Sequence, residues 1–289
     1  MTFTRLKKPL LWTLAVVITL GTAIYQRKTG PTYPRNEKVV LSDSTYTFNL
    51  IRTCGARDAR VKLPVRDTAV NAVLYYKKLG MPEAWSMVEF QWTDIRYHSA
   101  FMKKIMKKKD ERVLAANLPQ QPPAGKLEYY IEVFKNGYTV PVAKNKPVVI
   151  RFKGDVPAGV LIPHIILMFL CMLFSTLAGL YAIFRIERYR RYTLWTFVIM
   201  FIGGFIFGPW VQWYAFGEWW TGIPFGWDLT DNKTLFAFVF WIAALFGIKR
   251  KGSPWLIILA AVMTLIIFSI PHSLFGSTLD YTTGSVTQG

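Results

Sequence analysis

The chain has 289 residues, 52% of them hydrophobic, and a mean hydropathy of +0.26, values that point to a membrane protein. A formal charge of +18 would suggest nucleic acid in a soluble chain, but its distribution argues against that. Residues 26–155 hold 24 Lys and Arg against 12 Asp and Glu, and short basic segments at 5–8, 185–191 and 249–251 read as topology signals.

Residues 1–8 carry Arg5, Lys7 and Lys8, and the apolar run 9–25 follows. It fits a retained transmembrane anchor, by its length and the aromatic residues Trp12 and Tyr25 near its ends. It also fits a signal peptide, with Gly21-Thr22-Ala23 as the small-residue cleavage site. Length favours the anchor. Residues 26–37 (QRKTGPTYPRNE) form a Pro/Gly/basic linker.

Residues 38–155 read as a β domain. Candidate strands are Lys38–Leu41, Tyr46–Arg52, Ala59–Leu63, Ala69–Lys77, Ser86–Trp92, Arg112–Asn117, Lys126–Val133 and Val148–Phe152, separated by Gly80-Met81-Pro82, Pro119–Gly125 and Asn136-Gly137. In KLEYYIEVF (126–134) charged and apolar residues alternate, so one face should be buried and the other wet. Short strands at regular spacing predict an antiparallel sandwich. The Pro-rich loop followed by this Tyr-bearing strand resembles the penultimate strand of immunoglobulin and fibronectin type III domains, a resemblance of pattern that implies a fold and no activity. Within the domain, MKKIMKKKDER (102–112) predicts a solvated helical insertion. Its Lys103, Lys104, Lys107, Lys108 and Lys109 offer a basic surface for anionic headgroups or an acidic partner.

Residues 156–272 read as a four-helix membrane region. Pro163–Phe184 is nearly free of charge and long enough for a bilayer core of about 30 Å. Tyr192 to Trp210 is the next span, with Gly203-Gly204 and Gly208 allowing close helix approach. Leu235–Ile248 is short for a crossing, but Asp228 is a strong N-cap with Asp231 three positions later, so a helix capped there reaches Ile248 at adequate length. Trp255–Ile270 completes the set, and 273–289 is a tail. Five crossings put the three short basic segments on one side, by the positive-inside rule the cytoplasm. The β domain and C-terminus then lie outside. Compactness and short loops suit a bacterial inner (plasma) membrane.

Between the second and third of these spans lies a Trp-rich loop, 208–234. Tryptophan prefers the headgroup zone, and polar groups at that depth are functional candidates by default. On the same outer side the topology gathers His164, His272, Glu218, Asp228 and Asp231, a set of imidazoles and carboxylates suited to a metal ion or haem. Asp228 and Asp231 also have ready work as helix caps. Trp219, Trp220, Trp227, Asn232 and Lys233 are candidates for partner or ligand binding, with an interfacial aromatic belt as the plainer reading. Asn232-Lys233-Thr234 matches a glycosylation sequon too close to the membrane to use.

GxSxG, HExxH, P-loop and Rossmann patterns are not found, and no catalytic residue is assigned. The cofactor stays unknown, with metal or haem as the candidate. The expected partners are the lipid bilayer and other membrane or envelope proteins, and nucleic acid is not expected. The leading expectation is a membrane scaffold, accessory subunit or assembly factor of an envelope complex. The alternatives are a redox, metal- or haem-binding membrane protein and a transporter component.

Overall fold

In a computed structural model, the chain is described except at residues 1, 43, 97–103, 105, 108, 250–253, 273 and 288–289, and at the side chains of 2–7 and 249. It divides into two compact units. One comprises Met1–Pro31, Asp155–Ser277 and Thr287–Gly289, and the other Thr32–Gly154 and Thr278–Val286.

The β unit contains β1 (Arg35–Leu41), β2 (Ser44–Leu50), β3 (Thr53–Cys54), β4 (Ala59–Leu63), β5 (Asn71–Lys78), β6 (Ser86–Glu89), β7 (Gln91–Ile95), β8 (Glu111–Leu118), β9 (Lys126–Lys135), β10 (Tyr138–Val142) and β11 (Val148–Phe152). β1 and β2 form a hairpin. A six-stranded sheet runs β3-β11-β9-β5-β6 with β10 also on β9, and a three-stranded sheet runs β4-β8-β7. All these pairs are antiparallel except β3 with β11, which is parallel. Side chains from all three sheets meet in one core, including Leu41, Phe48, Leu63, Leu74, Leu114, Ile131 and Phe152. Alternation explains the register: in β9, Leu127, Tyr129, Ile131 and Val133 are buried while Glu128 and Glu132 are half-buried on the other face, paired with Lys77 and Lys144.

Two differences from the sequence reading have local causes. The expected strand 86–92 is two strands in different sheets, because Phe90 turns inward and its N–H donates to Ala72 O at 2.9 Å. Tyr138–Val142 is a strand that the sequence did not mark, since Pro141 interrupts it. It sits on a sheet edge, where a missing N–H is tolerated. Asn136 and Gly137 join it to β9 with φ of 50° and 80°, the left-handed pair that a tight hairpin needs. Of the basic insertion 102–112, residues 102, 103, 105 and 108 lie outside the described residues. Among the others the expected helix does not extend, since 107, 109 and 110 have no regular structure and Glu111 and Arg112 open β8, while Lys104, Lys107 and Lys109 are exposed.

The other unit is helical: α1 (Thr2–Thr29), α2 (Ala158–Ile183), α3 (Tyr189–Met200), a π-helix (Phe201–Phe207), α4 (Gly208–Phe216), α5 (Leu229–Lys249) and α6 (Trp255–Ser269). Four helices are long and apolar enough to cross a membrane, namely Lys8–Thr29, Ala158–Ile183, the continuous Tyr189–Phe216 and Leu229–Ile248; α6 is a shorter apolar helix. The protein is therefore a multi-pass membrane protein of mixed α and β structure. Small residues set the spacing. A Cβ on Gly179 would stand 2.6 Å from Ala261 Cβ, and one on Gly204 would stand 2.7 Å from Thr234 Cγ2. Leu11 and Ala15 of α1 join the core formed by Cys171, Leu177, Tyr181, Trp241 and Ile257. Gln26 Nε2 donates to Phe268 O at 2.8 Å, near the end of α6. α1 thus packs as a full member of the bundle.

Candidate functional site

The loop is shorter than its composition suggests, because helix continues through 208–216. Pro209 lacks an N–H, but it falls at the first turn of α4, where the ladder changes from π to α spacing. Gly217 ends the helix at φ 83°, with its N–H on Trp213 O at 2.8 Å. Residues 218–228 then lead into α5.

Asp228 caps α5: its Oδ1 accepts from Thr230 N at 2.7 Å and Asp231 N at 3.2 Å. Asp231 does not complete a reciprocal box. Its Oδ2 accepts instead from Thr221 N (2.6 Å), Thr221 Oγ1 (3.1 Å) and Gly222 N (3.2 Å), three donors of the incoming loop. Asn232 Oδ1 takes Ile223 N at 2.7 Å. Gly222 is required for this approach, since a Cβ there would meet Asp231 Cβ at 2.7 Å. Gln212 Nε2 donates to Thr221 Oγ1 at 2.6 Å and ties the loop back to α4. Asp228, Asp231, Asn232, Lys233 and Thr221 are all buried. The first turn of α5 and the loop therefore hold each other through backbone groups that would otherwise have no partner.

His164 lies in the first turns of α2, where Nδ1 is 3.0 Å from Gly203 O in the π-helix. A carbonyl only accepts, so Nδ1 carries the proton and Nε2 keeps its lone pair. The same carbonyl receives the Gly208 N–H in the i to i+5 pattern. Lys233 Nζ donates to Ile270 O at 2.8 Å, two residues before His272. His272 follows the end of α6 with an exposed side chain. His164, Lys233 and His272 thus share one end of the bundle with Asp228 and Asp231, whose oxygens are engaged by the backbone. Glu218 is exposed at the start of the loop. Among the described residues, no group of three or more His, Cys, Asp or Glu has the arrangement to hold a metal ion.

The tryptophans divide by role. Trp220 stacks on Phe205 at 5.5 Å and donates from Nε1 to Ile223 O at 3.1 Å, inside the loop. Trp219 stacks on Trp213 at 5.0 Å with an exposed edge, while Phe225 and Trp227 are each 79% exposed. Sequence reasoning missed Thr221, Gln212 and Gly222, whose roles depend on the fold of the loop; Gly222 beside Thr221 was the available signal.

No protein-family model matches this sequence, and comparison with curated proteins and with solved structures gives no match.

Proposed function

We propose that the protein is a membrane scaffold, accessory subunit or assembly factor of an envelope complex. One observation carries the reading: a buried network on Asp231 and Asn232 fixes a loop that presents Phe225 and Trp227 at 79% exposure. Rigid, exposed aromatic side chains on a preorganised loop are what a protein contact uses as anchors. The β unit would serve as a second, immunoglobulin-like contact surface. The exposed Arg185 and Arg188 between α2 and α3, with Arg190 and Arg191 in the first turn of α3, support a cytoplasmic location for that turn, with the β unit on the outer face of a bacterial inner membrane. The packing of Leu11, Ala15 and Gln26 supports α1 as a retained anchor.

Extracted from its own membranes in mild detergent, the chain should migrate in a larger assembly. Phe225→Ser/Trp227→Ser should release it as a monomer with unchanged helix content. A native chain that is monomeric from the start would sink the reading.

A second reading rests on His164. A proton fixed on Nδ1 by a backbone carbonyl is the arrangement that orients an imidazole for ligation through Nε2. With His272 on the same end of the bundle, a metal or haem would bind there. Iron, copper and zinc counted per chain, before and after His164→Ala, test it; metal-free native protein counts against it.

A further inference from the structure

Thr278–Val286 belongs to the same compact unit as Thr32–Gly154, although α2 to α6 intervene. Its two short strands, β12 (Thr278–Leu279) and β13 (Val286–Thr287), pair as a hairpin. The turn is built to hold its shape: Asp280 Oδ1 accepts from Thr282 N at 2.8 Å, Asp280 N donates to Ser285 O at 2.9 Å, and Gly284 takes φ 71°. The hairpin seats on the loop before β9. Leu279, buried, donates its N–H to Ala124 O at 3.1 Å, and Tyr281 Oη lies 3.1 Å from Lys126 O. Lys126 hydrogen-bonds the Thr278 hydroxyl, and the Lys78 ammonium stands 5.1 Å over the Tyr281 ring. The receiving loop closes the sheet itself, through Ala124 N to Phe152 O at 3.0 Å and Phe152 N to Gly125 O at 2.9 Å.

We infer that this hairpin is a strap that completes the β unit after the chain has returned through the membrane, and that α6 is therefore a true crossing. Segments of one folded unit must lie on one side of the bilayer. Between Gly154 and Thr278 the chain must then cross an even number of times. α2, the α3–α4 helix and α5 have the length and apolarity for three crossings. Three would strand the hairpin on the wrong side, so α6 supplies the fourth. Its 15 residues span only about 22 Å at 1.5 Å per residue. Extended backbone at Ile270 (ψ 123°) lengthens the path, and Trp255 at the other end suits the interface of a locally thinned bilayer.

The test uses full-length protein in sealed vesicles of known orientation, with Cys54→Ser and Cys171→Ser. Single cysteines at the exposed positions Ser86→Cys and Thr283→Cys are labelled with a membrane-impermeant maleimide. Both should label in one vesicle orientation and neither in the other; opposite sidedness overturns the inference. In the same vesicles Tyr281→Ala should keep that sidedness and raise protease cleavage of the β unit roughly ten-fold. An unchanged cleavage rate would remove the strap role.

Discussion

The two units bury polar groups differently. In the β unit the core cluster is apolar, Lys77–Glu128 and Lys144–Glu132 pair on the outer face of β9, and Arg151 of β11 is buried beside that core. In the helical unit, Asp228, Asp231, Asn232 and Lys233 are buried at one end, and their hydrogen-bond partners are mostly backbone groups. Water can satisfy a loop on a soluble domain. A loop at a membrane boundary has fewer such partners, so side chains must replace water there. Buried charge in this unit is thus the means of fixing irregular backbone.

The sharpest way to break the contrast is Asp231→Ala. It leaves the Thr221 and Gly222 N–H groups without an acceptor, at about 1–3 kcal/mol each. Thermal unfolding in detergent should drop accordingly, and chymotrypsin should cut at the loop aromatics. Asp231→Asn keeps an oxygen and should recover much of the loss; equal damage from both would mean that charge, not hydrogen bonding, matters.

Overpacking comes next. Gly179→Leu forces a side chain against Ala261 and should cost about 1–3 kcal/mol in the helical unit, read by the same melt, with little effect on the β unit.

A smaller effect is a pH slope in the β unit. Burial, then Arg151, push Lys126 down to about 8 from 10.5. Folding therefore expels a proton above pH 8, and stability should rise from pH 8 towards 10 by about 1 kcal/mol, allowing for partial exposure. Above 10 the Tyr281 hydroxyl, pushed up to about 12 by burial, works in the opposite sense. Hydrogen exchange of the β9 amides across this range checks the sign, and Lys126→Met should flatten the slope. Least of all, Lys144→Ala should leave the melting midpoint unmoved, because its partner bond with Glu132 is at the surface.

How far the sequence speaks also differs between the units. Ala59–Leu63 and Val148–Phe152 are strands over the expected residues, since alternation of buried and exposed positions is a local property. The apolar runs were legible for the same reason, and Asp228 caps α5 as its residue type predicts. Asp231 took a different partner because Gly222 brings the loop backbone within reach, a tertiary fact. The hairpin 278–286 was read only as a tail: nothing local in TLDYTTGSV says that Tyr281 will meet Lys126. At the site, the placing of His164 and His272 at one end of the bundle followed from topology, whereas the engagement of Asp231 by the loop did not.

The π-helix resets the angular phase of the helix that contains it. Each π turn takes one residue more than an α turn, so side chains after Phe207 face directions that a 3.6-residue count from Tyr189 does not give. A substitution pattern compared across Phe201–Phe207 by helical wheel would misassign every position of α4. Deleting one glycine there and restoring α spacing would swing Gln212 away from Thr221 and Trp213 away from Trp219. The length of this stretch, in residues, is therefore as much a constraint on the chain as their identities.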